Sequence, residues 1–212
     1  MKVLVAGEYS GRVRDAFLAK GHDAISCDLL PTDVPGPHYQ GDVRDLLNNP
    51  RGYDLMIAHP TCTRLANSGV RWLHVPPAGR TVKQMWKELE EAAEFYKLLR
   101  DAPIKRKAIE NPIMHKYAKA LIKIGHRQVV QPWWFGDEAF KATGLELINL
   151  PDLFPSNKLD PPKPGTEEHK KWSAIHRATP GPDRWKIRST TFPGVAEAMA
   201  EQWGTFPLPS IL

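Results

Sequence analysis

The chain has 212 residues, 42% of them hydrophobic and 25% charged, with seven tryptophans and a formal net charge of +5. That length and apolar content suit one ordinary α/β domain with its own core, and no run approaches the roughly 18 apolar residues of a membrane span. The positive charge favours a polyanionic partner, but weakly, since many soluble enzymes carry as much. In chain order, the opening MKVLVAG turns polar at Glu8. That is too soon for a signal peptide, so the segment reads as a strand and the protein is expected in the cytoplasm.

Short β-branched runs predict strands at 2–6, 23–27, 54–58, 107–110 and 128–130, with a weaker one at 145–148. Helical patterns fall at 11–20, 81–100, 114–124 and 194–203. The best defined is 81–100, where Val82, Met85, Trp86, Leu89, Ala92, Ala93 and Tyr96 recur at three- and four-residue intervals. Strand–helix alternation at this spacing predicts an α/β fold with a doubly wound, Rossmann-like sheet, largely parallel, whose ligands sit beyond the carboxyl ends of the strands. The pattern lapses after Leu150, where six further prolines follow Pro151 before Arg188. The expected organisation is a catalytic domain over 1–150, an irregular basic segment over 151–190, and a C-terminal helix and tail over 191–212 that return to the first unit.

The first strand runs into Gly7-Glu8-Tyr9-Ser10-Gly11 and a helix. Small residues there let the backbone approach a ligand, and the helix start offers N–H groups, although plain strand-to-helix geometry accounts for the turn as well. Asp28 ends the second strand, in position to accept from ribose hydroxyls, and Gly41-Asp42-Val43 follows a proline-rich turn. Together these point to a nucleoside-bearing cofactor. The Gly-x-Gly-x-x-Gly and Gly-x-x-x-x-Gly-Lys patterns are absent, which disfavours a dinucleotide or a triphosphate.

The strand at 54–58 breaks into His59-Pro60-Thr61-Cys62-Thr63, and the one at 107–110 into Glu110-Asn111-Pro112. Both put chemistry-bearing side chains at one sheet edge, where a thiol and a carboxylate are expected to converge over a cavity. Polar neighbours set Cys62 apart from Cys27, which reads as a packing residue. His59 and local N–H groups are expected to draw the Cys62 thiol below its usual value of roughly 8.5. Two cysteines alone make neither a disulfide framework nor a zinc site, and the histidines show no convincing ligand spacing, so no metal is expected.

These residues together resemble the cytosine-C5 DNA methyltransferase family, in particular the short members carried by phages and prophages. Gly7–Gly11 resembles its first cofactor motif, Asp28 its ribose-binding acid and Gly41-Asp42 its adenine-binding motif. Pro60-Thr61-Cys62 resembles the nucleophile motif, Glu110-Asn111 the Glu-Asn motif, and Phe192-Pro193-Gly194 the last motif, which closes the cofactor pocket. The likeness covers residues 1 to about 145 and 190 to 204. It implies S-adenosylmethionine as cofactor, held by Gly7, Glu8, Tyr9, Ser10, Gly11, Asp28, Leu29, Asp42, Val43 and Pro60. It implies Cys62, Glu110, Asn111 and Lys141 as the catalytic set, with Cys62 adding to C6 of cytosine. Glu110 then holds a proton against N3, which needs a carboxyl raised by burial towards pH 7. DNA is the implied partner, contacted by the basic segment 158–188 and by a closing loop at 64–80.

Three departures stand beside the likeness. Thr61 replaces a proline before the nucleophile, Lys141 and Thr143 stand where the family has Gln-x-Arg-x-Arg, and only about 40 residues remain for target recognition. They leave two alternatives open: a protein that binds the cofactor or nucleic acid without catalysis, and a methyltransferase acting on a free nucleotide or RNA.

Overall fold

The computed structural model describes residues 1–48, 52–179, 181 and 184–205. Seven strands form one sheet: β1 (Lys2–Ala6), β2 (Asp23–Asp28), β3 (His38–Gln40), β4 (Leu55–Ala58), β5 (Arg106–Pro112), β6 (Arg127–Val130) and β7 (Thr143–Ile148), in the order β3-β2-β1-β4-β5-β7-β6. All neighbours pair in parallel except β7, which runs antiparallel to both β5 and β6. Around the sheet lie α1 (Arg12–Ala19), α2 (Arg44–Leu47), α3 (Val82–Asp101), α4 (Lys116–Ile122), α5 (Glu167–Trp172), α6 (Ala174–Arg177), α7 (Arg184–Ser189) and α8 (Pro193–Gly204).

The strands bury both faces, as a doubly wound sheet requires. Along β1, Val3 and Val5 face one core with Phe17, Met199 and Trp203 from α1 and α8, whereas Leu4 and Ala6 face another with Met85, Leu89 and Tyr96 from α3. The apolar stripe of α3 therefore does what its spacing predicts. A capping box starts that helix: the Gln84 N–H donates to Thr81 Oγ1 at 3.2 Å, and the Thr81 N–H donates to Gln84 Oε1 at 2.8 Å. No helix of the described residues is long and apolar enough to cross a membrane.

The structure departs from the expected elements at several places, among them the short helix α2 and a β5 that runs on to Pro112. Strand β3 was not expected after Pro35 and Pro37; three residues form it because His38–Gln40 pair with Ser26, Cys27 and Asp28 of β2. Strand β7 begins at Thr143 rather than 145. The segment expected to be irregular carries α5, α6 and α7, and it packs on the sheet unit through Phe140 against Trp172 and Tyr9 against Trp185, ring centroids 5.4 Å apart in each pair. The tail beyond Thr205 lies outside the described residues.

Candidate active site

Parallel pairing brings the ends of β1, β4 and β5 side by side, and the polar residues just beyond them form the site. Gly7 leaves β1 with φ of 73°, and a Cβ there would stand 2.5 Å from the His59 carbonyl oxygen. Only glycine allows that approach, which joins the turn after β1 to the turn after β4. The His59 N–H donates to the Ala6 carbonyl at 2.8 Å and fixes the start of the Cys62 loop.

Glu110 is the centre of the cluster. Its Oε2 lies 2.9 Å from His59 Nδ1, and its Oε1 lies 3.8 Å from Lys141 Nζ. The Thr191 hydroxyl donates to Oε2 at 3.5 Å. The three charged side chains are nearly enclosed, at 11% exposure for Glu110, 13% for His59 and 17% for Lys141. Burial pushes the Glu110 carboxyl up, but Lys141, His59 and the Thr191 hydroxyl outweigh it and hold the group down to about 2. The expectation of a raised carboxyl is therefore wrong for this arrangement: Glu110 is an ion, clamped between two cation-forming groups.

Cys62 is exposed on the loop above, close enough to Glu110, Lys141 and Arg188 to feel their charges. The protein mass around the loop and the Glu110 carboxylate push the thiol up, against Lys141, a backbone N–H and Arg188. The expected lowering does not occur, because His59 gives its hydrogen bond to Glu110 rather than to the sulfur. Cys27, by contrast, is buried and pushed up to about 12, as a packing residue should be. The small cavity against Glu110, lined also by Lys141, Thr143, Thr191 and Phe192, measures about 10 Å³. That admits about one water, not a pyrimidine.

Asn111 is not part of this cluster. It follows Glu110 on β5, and neighbouring strand residues point to opposite faces. It is 2% exposed, and neither amide atom has a hydrogen-bond partner among the described residues. Residues that sequence reasoning passed over as partners of Glu110 are His59 and Thr191. The latter precedes the Phe192-Pro193-Gly194 motif, whose glycine packs against the Phe135 carbonyl and donates its N–H to Asp137 Oδ2 at 3.0 Å.

The residues expected to hold a cofactor are engaged differently. The Glu8 carboxylate caps α1, accepting from Val13 N–H at 2.7 Å and Arg14 N–H at 3.1 Å. The N–H groups expected to be free are thereby taken. Ser10 donates to Glu8 Oε1 at 3.3 Å, and Gly11 is the left-handed N-cap residue of α1. Tyr9 lies beneath α7, its hydroxyl 3.3 Å from Ser189 Oγ and 3.4 Å from Thr190 Oγ1. Asp28 Oδ1 accepts from Leu30 N–H at 3.0 Å, and Leu29 is 73% exposed beside it. Asp42 accepts from Arg44 N–H at 2.9 Å and pairs with its guanidinium at 2.6 Å, which lowers its carboxyl. Val43 and Pro60 are buried.

The loop expected to close over the site is docked instead. Arg64 binds Glu88 of α3 at 2.8 Å, Arg80 binds the same carboxylate, and the 3-10 helix Asn67–Leu73 buries Leu73. Trp72 stays 37% exposed with the Arg71 guanidinium 5.5 Å from its ring centroid.

No family model and no curated protein matches the chain. Among solved structures, it is similar to a DNA modification methyltransferase encoded within an E. coli prophage, at 14% identity and a TM-score of 0.50, over 76% of this chain and 52% of that one. It is also similar to the Entamoeba histolytica methyltransferase EhMeth, at 12% identity and a TM-score of 0.43, over 76% of this chain and 56% of that one. The chain spans about half the length of these structures. With its seven-stranded, mostly parallel sheet and surrounding helices, the fold is Rossmann-like and consistent with that of methyltransferases.

Proposed function

We propose that the protein transfers a methyl group from S-adenosylmethionine to C5 of cytosine in DNA, with Cys62 as covalent nucleophile. The observation that carries this reading is the convergence of Cys62, Glu110 and Lys141 on one rim of the sheet, from the β4 loop, β5 and the approach to β7. The cofactor, when bound, supplies an electrophilic methyl group. Gly7, Asp28 and the exposed Leu29 stand at the ends of β1 and β2, and in this reading they offer the nucleoside a glycine turn, a carboxylate for ribose and an apolar surface for a base.

The chain's own residues divide the work at the base. The exposed Cys62 gives its proton to solvent and the thiolate adds to C6, while the electron pair moves to C5 and towards N3. The Lys141 ammonium, 3.8 Å from the Glu110 carboxylate, meets that charge in a nearly enclosed setting, where it counts for more than in water. After methylation, loss of the C5 proton breaks the bond from C6 to sulfur. Arg188, Trp185 (46% exposed) and the Arg71–Trp72 pair supply cations and ring faces for a flipped-out strand.

A second reading rests on a specific feature. The Lys141–Glu110 pair occupies the carboxylate that should meet the base, and the thiol is pushed up rather than down, as in a binder that has lost catalysis. Labelled methyl transfer to DNA, RNA and dCMP, run side by side with calorimetry of the cofactor, separates the readings. Label in DNA is the expected result. Label in dCMP alone moves the substrate to free nucleotides, and cofactor binding with no label anywhere selects the binder.

A further inference from the structure

His59 has no assigned part in the chemistry above, yet it makes the shortest polar contact in the cluster. Its Nδ1 lies 2.9 Å from Glu110 Oε2, and its Nε2 is buried with no partner among the described residues. The ring is therefore oriented through Glu110. The groups around it set its charge: Glu110 from β5, Glu8 from the turn after β1, and Lys141 from the approach to β7. Two carboxylates against one ammonium leave room for one more positive charge. Burial disfavours that charge, but Glu110 and Glu8 more than reverse the penalty, so His59 keeps its proton above the ordinary imidazole range.

We propose that His59 is the proton store of the site: it holds on Nδ1 the proton that Glu110 presents to the ring nitrogen of the substrate base. This rests on the reading that Glu110 meets that base. As Cys62 adds to C6, the proton passes from Nδ1 to the Glu110 carboxylate and on to N3, leaving a neutral imidazole. When the bond from C6 to sulfur breaks, N3 returns the proton by the same route and the pair is restored. The arrangement lets a carboxyl that is ionised at rest serve as an acid during turnover, because the proton waits one hydrogen bond away.

Nitrogen-15 NMR of the imidazoles tests the pair in the whole protein without any ligand, the His59 signal being assigned by its loss in His59→Gln. The expected titration of His59 lies above that of an ordinary histidine in the wild type and falls markedly in Glu110→Gln, where only Glu8 is left to oppose burial and Lys141. A His59 that titrates alike in both proteins overturns the proposal, whatever the activity. The second arm follows methyl transfer against pH. Wild-type turnover should fall on the alkaline side as His59 empties, while His59→Gln should be about 100-fold slower and lose that limb. An unchanged alkaline limb in His59→Gln also overturns the proposal. Absence of methyl transfer in the wild type at every pH, with the NMR coupling present, refutes the methyltransferase reading and leaves the coupled pair standing.

Discussion

The two halves of the strand-end rim use their polar residues in opposite ways. Beyond β1 and β2, several polar side chains serve the fold: Glu8 accepts from the first turn of α1, Asp42 accepts from Arg44 N–H at the start of α2, and the fully buried Arg14 donates to Ser26 Oγ and Thr32 Oγ1, each at 3.2 Å. Beyond β4 and β5, buried polar groups are packed against one another or left without partners, as with His59 Nε2 and both amide atoms of Asn111. Burying polar atoms unmet costs on the order of 1–3 kcal/mol each. Trp134 Nε1, Glu146 Oε2 and Trp172 Nε1 are unmet elsewhere among the described residues, so it is the His59–Glu110–Lys141 cluster, with Cys62 above it, that makes the β4–β5 side the proposed place of the chemistry.

The comparison can be broken in order of size. Glu110→Gln removes the carboxylate but keeps its shape, and methyl transfer should fall by about 10²–10⁴-fold; a loss below tenfold would place Glu110 among the fold-holding acids. Stability against pH is the next test. With a folded value near 2, below the ordinary carboxylate value of about 4.3, Glu110 stabilises the protein fully above roughly pH 5, and that contribution disappears as pH falls towards 2. The gap is worth about 3 kcal/mol, shared across the cluster, so urea midpoints of wild type and Glu110→Gln should converge on acidification. His59 acts with the opposite sign: its raised value stabilises below about pH 6.5 and is lost as pH climbs through the folded value.

Smaller effects belong to the other half. Glu8→Ala should cost about 1–2 kcal/mol in urea unfolding, through the lost cap of α1. If cofactor affinity drops and stability does not, Glu8 serves the ligand and the contrast between the halves dissolves. Asp42→Ala should cost about 0.5–1 kcal/mol, since its cap and ion pair are partly exposed.

Much of the fold was legible because its signals are local. The β-branched runs mark β1, β2 and β4, and the three- and four-residue recurrence from Val82 to Tyr96 marks α3. What escaped depends on distant partners. Strand β3 is three residues among prolines and exists by pairing with β2. Helix α5 lacks an apolar period, and its cap, Thr166 accepting from His169 N–H at 3.1 Å, is seen only in the structure. At the site, strand ends sufficed to place Cys62 and Glu110 on one rim. Their charge states did not follow, because Lys141 and Thr191 reach Glu110 across 31 and 81 positions of sequence. The cap by Glu8 illustrates the reverse: a residue assigned to a ligand motif is spent on the helix beside it.

The most direct test of the account is covalent capture on DNA carrying 5-fluorocytosine, with S-adenosylmethionine present, read by mass spectrometry of the intact protein. The wild type should shift by the mass of the methylated oligonucleotide, with the adduct mapped to Cys62, and Cys62→Ser should show none. An adduct mapped to another residue, or its absence while labelled methyl still reaches cytosine in ordinary DNA, would contradict the assignment of Cys62 as nucleophile.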